Sequence, residues 1–68
     1  MDKLIGKFDR KNRNEQVRIY TTEYYGQKYV NIRIYFSAKN QWFPTRKGVT
    51  IPAAEADALA RFVKKAAV

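Results

Sequence analysis

The chain has 68 residues, enough for one small domain near the lower limit of what folds alone. It contains no Cys and no His, which excludes disulfides, thiolate metal sites and the commonest general base and metal ligand. Its 14 Lys and Arg against 6 Asp and Glu give a net charge of +8. That excess points to a polyanionic partner: nucleic acid, an anionic membrane surface or an acidic protein.

In chain order, Lys3 to Phe8 reads as a short strand, and Asp9 to Glu15 as a polar, Asn-rich loop. Gln16 to Tyr25 and Lys28 to Phe36 are rich in β-branched and aromatic residues and both alternate. Gly26-Gln27 between them suits a two-residue type II′ turn, with Gly at the first central position. That turn sets Tyr24 opposite Tyr29, Tyr20 opposite Arg33 and Arg18 opposite Tyr35. Val17, Ile19, Val30, Ile32, Ile34 and Phe36 then share a core face. Arg18, Tyr20, Thr22, Tyr24, Tyr29, Asn31, Arg33 and Tyr35 share the other.

Ser37 to Gln41 makes a second connection, and Trp42 to Ile51 a last strand. Pro44 and Gly48 interrupt that strand and predict an edge position or a bulge. Pro52 opens a helix that runs to about Ala67. Ala56, Leu59, Ala60, Val63 and Ala67 form its apolar stripe, flanked by Phe62 and Ala66. The order is β-β-β-β-α in a single domain, residues 1–68, of the α+β class. One sheet and one helix bury too little apolar surface, so a homodimer is expected, with Leu59, Phe62 and Val63 at the seam.

No apolar run approaches the roughly 20 residues that span a bilayer. Met1 to Gly6 carries no signal-peptide core. The expected location is the cytoplasm or nucleoid, or the nucleus in a eukaryote, without a membrane partner.

The basic and aromatic sheet face is the candidate site. No acidic residue occurs from Tyr24 through Ala54, whereas an ordinary solvated surface mixes signs. Single-stranded nucleic acid offers phosphates to Lys and Arg and exposed base faces to aromatic rings. A duplex hides those faces, so interleaved Tyr and Arg favour a single strand. The candidate contacts are Arg18, Tyr20, Tyr24, Lys28, Tyr29, Arg33, Tyr35, Trp42, Arg46 and Lys47. The competing structural readings are that Tyr is simply a good strand residue, that Trp42 is core and that Arg46-Lys47 protects a strand edge. The acids Asp2, Asp9, Glu15, Glu23, Glu55 and Asp57 form no pair with a base or nucleophile. The three glycines are scattered and build no phosphate loop. An enzyme, a cofactor and a small-molecule substrate are therefore not expected.

Gly26 to Phe36, followed by Trp42-Phe43-Pro44-Thr45-Arg46-Lys47-Gly48-Val49-Thr50-Ile51-Pro52, resembles the positive cofactor four family of transcriptional coactivators and their bacterial relatives. Ile5-Gly6-Lys7 is similar to that family's first strand. The resemblance implies a curved four-stranded antiparallel sheet followed by one helix, pairing as a homodimer and binding single-stranded DNA. It carries the family's aromatic before the hairpin turn onto Tyr24, its strand Arg onto Arg33 and its basic pair onto Arg46 and Lys47. The family's aromatic at the end of the same strand falls at Phe36, which alternation assigns to the core face. Ile34 and Gln27 depart from the family pattern, an extra stretch from about Phe8 to Gln16 separates the first two strands, and the Ser-rich arm of the eukaryotic members is absent. Single-stranded RNA and an acidic protein partner are the alternative ligands.

Overall fold

The computed structural model describes residues 2–68. Four strands run antiparallel in the order β1-β2-β3-β4: β1 Lys3–Asp9, β2 Glu15–Tyr24, β3 Gln27–Ala38 and β4 Gln41–Pro52. A 3-10 turn over Ala53–Glu55 leads into the single helix α1, Ala56–Ala66. Pro52 is therefore not the first helical residue. It closes β4 in an extended conformation (φ −58°, ψ 145°) and is paired with Tyr29. Its ring fixes φ at a value that either role would accept, so the sequence alone did not separate them.

The first hairpin turn is shifted from its expected position and the second is shorter than expected. Tyr25 (φ 53°) and Gly26 (φ 74°) are the central residues of the β2–β3 turn, with Tyr24 opposite Gln27. Lys39 (φ 53°) and Asn40 (φ 63°) turn β3 into β4. Two left-handed central residues mark type I′ turns, whose twist matches that of the flanking strands. The expected turn at Gly26-Gln27 is thus one residue out. The observed pairs are Arg18 with Arg33, Tyr20 with Asn31, Thr22 with Tyr29 and Val17 with Ile34. The slip between expected and observed partners is two residues. Since the side-chain period is also two, no residue changes face. A Tyr at positive φ costs about 1–2 kcal/mol, and the turn carries that strain at its exposed tip.

Both edge strands are bulged. In β1 the register shifts between Leu4 and Gly6. In β4, Thr45, Arg46 and Lys47 stand between Pro44, opposite Tyr35, and Gly48, opposite Arg33. Bulges twist an edge away from further strand pairing, and Pro44 is tolerated because β4 has an open side. The β4 bulge is fastened by side chains. Thr45 Oγ1 donates to the Ile34 carbonyl (2.7 Å) and accepts from the Lys47 N–H (3.1 Å), while Arg33 Nη1 donates to the Thr45 carbonyl (3.0 Å). The β1–β2 loop is ordered by an Asx turn, Asn14 N–H to Asn12 Oδ1 (3.0 Å), and by the Arg10–Glu15 ion pair (3.1 Å).

The core face carries Val17, Ile19, Val30, Ile32, Ile34 and Phe36, joined by Phe43, Val49 and Ile51 of β4. Ala56, Leu59, Ala60 and Val63 of α1 line an apolar groove with Ile19, Val30, Ile32 and Ile51. The expected helix stripe thus does face the sheet, with Phe62 62% exposed beside it. The groove is not sealed, and among the described residues no hydrophobic side chain is fully buried. The chain exposes 5846 Å², against about 4,450 Å² for a compact protein of its 8.0 kDa mass. Its Cα radius of gyration is 13.1 Å, against about 11 Å for a compact chain of this length.

Two strand glycines differ in what they permit. A Cβ on Gly48 would stand 2.5 Å from the Ile32 carbonyl oxygen and 3.0 Å from the Arg33 Cα, whereas a Cβ on Gly6 meets nothing within 4 Å. Gly48→Ala should therefore cost about 1–3 kcal/mol, toward the upper end because the obstructing atoms are backbone. Gly6→Ala should stay within about 0.5 kcal/mol of the parent. Denaturant midpoints of the two variants measure the contrast.

Candidate nucleic-acid interface

The sheet face opposite α1 is organised in rows that cross the strands. The central row is cationic: Lys7 of β1 lies opposite Arg18 of β2, and Arg18 opposite Arg33 of β3. Gly48 of β4 ends the row, next to Arg46 and Lys47 in the bulge. Neighbouring strands lie about 4.8 Å apart. Like charges directly opposite each other on one sheet face destabilise it, so the row is a local cost to the free protein.

Aromatic rows flank it. On one side lie Tyr35, opposite Gln16, and Trp42, opposite Ser37. On the other lie Tyr20 and then Thr22 with Tyr29, while Tyr24 ends β2. Arg18 is held between the two sides. Its guanidinium carbon is 4.6 Å from the Tyr35 ring centroid and 5.5 Å from that of Trp42. Its Nε donates to Gln16 Oε1 (3.1 Å) and its Nη1 to Tyr20 Oη (3.3 Å). Gln16, the most buried polar residue described, is fixed in turn by donating Nε2 to Asp9 Oδ1 (2.9 Å). Stacking and charge-assisted bonds together pre-orient the cation.

The two tyrosines of this cluster titrate apart. The Arg18 guanidinium bonded to Tyr20, with the Tyr35 hydroxyl as second cause, holds the Tyr20 phenol below the usual tyrosine range. Burial, and then the Tyr20 hydroxyl, push Tyr35 above it. Their rings lie 5.9 Å apart. The Asn31 Oδ1, in the row beyond the cations, is enclosed and has no hydrogen-bond partner.

The family model described as Transcriptional Coactivator p15 (PC4) matches residues 11–61. The chain belongs to this family. Among solved structures, a PC4 homolog from Burkholderia pseudomallei superposes with a TM-score of 0.86 at 23% identity, with both chains covered in full. A second crystal form of that protein gives 0.84 at 24% identity, covering 96% of this chain and 88% of the other. The bacteriophage T5 homolog of the eukaryotic coactivator PC4, described as implicated in recombination-dependent DNA replication, gives 0.60 at 30% identity, covering 93% of this chain and 70% of its own. No curated protein sequence matches.

Within this PC4-family fold, Arg18, Tyr20, Tyr24, Tyr29, Arg33, Tyr35 and Trp42 share one face. Trp42 lies beneath the Arg18 guanidinium on that face, not in the core. Phe36 lies on the other face, with its ring 5.6 Å from Phe43, as alternation requires. Lys28 is not with the rest. It pairs with exposed Glu23 at the hairpin end, in register with the core-face residues. Arg46 and Lys47 stand exposed in the bulge beside the cation row. Two residues not singled out in the sequence belong with the site. Lys7 reaches the row because the β1 bulge re-phases the strand after Leu4. Tyr25, 92% exposed, sets its ring edge-on to Tyr24 at 4.5 Å. Alternation alone names neither the Arg18 partner of Lys7 nor the turn position of Tyr25.

Repulsion along the row makes a distinctive prediction for the free protein. Adding salt should raise its melting temperature, by about 4–8 °C for each kcal/mol of repulsion screened. Lys7→Gln should reduce that rise more than Lys64→Gln on the helix does. Calorimetry at low and high salt reads it, and equal responses in both variants would contradict the role given to the row.

Proposed function

We propose that this PC4-family chain is a non-enzymatic, homodimeric single-stranded-DNA-binding protein that serves transcription, replication or repair. The observation that carries the reading is the Lys7–Arg18–Arg33 row between two aromatic flanks on an open sheet face. The phosphate backbone would cross the strands along the cations toward Arg46 and Lys47. Bases unstacked from each other would turn onto the exposed rings beside the row, each stack contributing roughly 1–3 kcal/mol. A duplex can use the cations but not the rings. Among the described residues no group of three or more acidic residues stands together to hold a metal ion, and the ordered contacts of the site serve to position cations and rings. The description of the phage T5 homolog, in DNA replication, supports the same class of ligand.

The dimer follows from exposure. The surface in excess of a compact monomer, about 1,400 Å², exceeds the roughly 800 Å² per partner of a standard protein interface. On the helix side that surface includes the exposed Phe8, Phe36, Phe43, Phe62 and Val63. A second copy meeting this side, at a seam including Leu59, Phe62 and Val63, would leave both cationic faces outward. Sedimentation equilibrium should give a dimer at micromolar concentration, and Phe62→Glu should shift it toward monomer with a lower melting temperature. A stable parent monomer would reject this part of the proposal.

Binding is best tested with variants that hold nothing else in place. Tyr20 and Arg33 each anchor a neighbour, whereas Lys7 is exposed and Tyr24 is bounded mainly by the adjacent Tyr25. Anisotropy titrations of a single strand, its duplex and the matching RNA, at two salt concentrations, should rank the single DNA strand first. Lys7→Ala should lower the salt slope by about 0.7, the increment for one phosphate on a single strand. Tyr24→Ala should leave the slope unchanged and cost about 1–3 kcal/mol of affinity. An acidic protein ligand predicts the reverse, with lysine mattering and tyrosine neutral. RNA binding tighter than DNA would move the reading to single-stranded RNA.

A further inference from the structure

We infer that the dish between Tyr24 and Tyr29 seats a single thymine base, so that the protein distinguishes thymine from uracil by the C5 methyl group; this rests on the nucleic-acid reading of the same face. The dish has a volume of about 260 Å³ and is lined by Thr22, Tyr24, Tyr29 and Thr50, from three adjacent strands. All four residues lie on the cationic face. Thr50 stands in the row next to the cations and Thr22 with Tyr29 in the row after it. At roughly 3.3 Å per residue, Thr50 lies about 7 Å from the Arg18–Arg33 pair, Thr22 and Tyr29 about 13 Å, and Tyr24 at the far rim about 20 Å. A sugar and base can bridge the first of those intervals when their phosphate lies on the row.

Two observations single out this seat. The rings on the other flank are already occupied, because Arg18 covers both Tyr35 and Trp42. The dish is uncovered, and its lining is almost wholly apolar. The one bond at its rim is internal, from the Tyr29 hydroxyl to Gln27 Oε1 (3.4 Å). An apolar lining cannot read the amino and carbonyl groups of a base edge by hydrogen bonds. What it can distinguish is a methyl group, which gains by leaving water for the threonine methyls and tyrosine rings. Thymine carries that methyl and uracil does not.

The test compares oligo-deoxythymidylate with oligo-deoxyuridylate of the same length and the same sugar, by anisotropy at fixed salt. The deoxythymidylate strand should bind about fourfold tighter for each seated base, the increment for one buried methyl group. The double variant Thr22→Ser and Thr50→Ser keeps both hydroxyls and removes two methyls. It should bring the ratio toward one by weakening the thymidylate strand more than the deoxyuridylate strand. Equal, salt-dependent binding of both strands by the parent would overturn the seat while leaving the interface standing. A ratio that persists in the double variant would also overturn it, since the discrimination would then lie elsewhere. Binding of neither strand would remove the interface and the seat together.

Discussion

A single antiparallel sheet has two faces, and this chain has one short helix with which to cover them. Everything else in the structure follows from that shortage. Ala56, Leu59, Ala60 and Val63 reach only the part of the core face made by Ile19, Val30, Ile32 and Ile51. The rest of that face, out to Phe8, Phe36 and Phe43, is left to water or to a second copy. The other face has no cover at all, and a polar, charged and aromatic surface suits it. Division of labour between the faces is therefore a consequence of chain length before it is a matter of function.

The open face is arranged at some cost. Arg18 opposite Arg33 and Lys7 opposite Arg18 repel one another, and the enclosed Asn31 Oδ1 lacks a partner. These are local departures from what stability alone would favour, and they converge on one surface, as expected where a binding site is built. The compensation is mechanical. The Asp9–Gln16–Arg18–Tyr20 chain of bonds and the two rings beneath Arg18 fix one cation. The Thr45 staple and Gly48 fix the second by letting the backbones of β3 and β4 approach closely beside Arg33.

Family membership and this geometry reinforce each other from different directions. The family match spans residues 11–61 and so takes in β2, β3, β4 and the start of α1. It leaves out β1, the strand that supplies Lys7 and extends the cation row to the sheet edge. The fold is shared with the Burkholderia pseudomallei protein at 23–24% identity in its two crystal forms. At that distance the conserved quantity is the sheet and helix, and the side chains on the open face must be argued from this chain's own contacts.

Most of the architecture was legible in the sequence. Strand composition and alternation determined four strands, a terminal helix and the two faces of β2 and β3. Even a misplaced hairpin turn left the faces intact, because the true partners differ by two residues and the side-chain period is two. The helix stripe was legible for the same kind of reason, as a periodic signal that survives errors at the ends. Bulges, by contrast, are decided between strands. Whether β1 re-phases between Leu4 and Gly6, or β4 loops out at Thr45–Lys47, depends on which backbone lies alongside, and no local pattern encodes that. So the sequence determined that a basic, aromatic face exists. Only the tertiary structure decided that Lys7 stands beside Arg18 and that Trp42 lies beneath it, because those placements depend on inter-strand register and not on the alternation of any single strand.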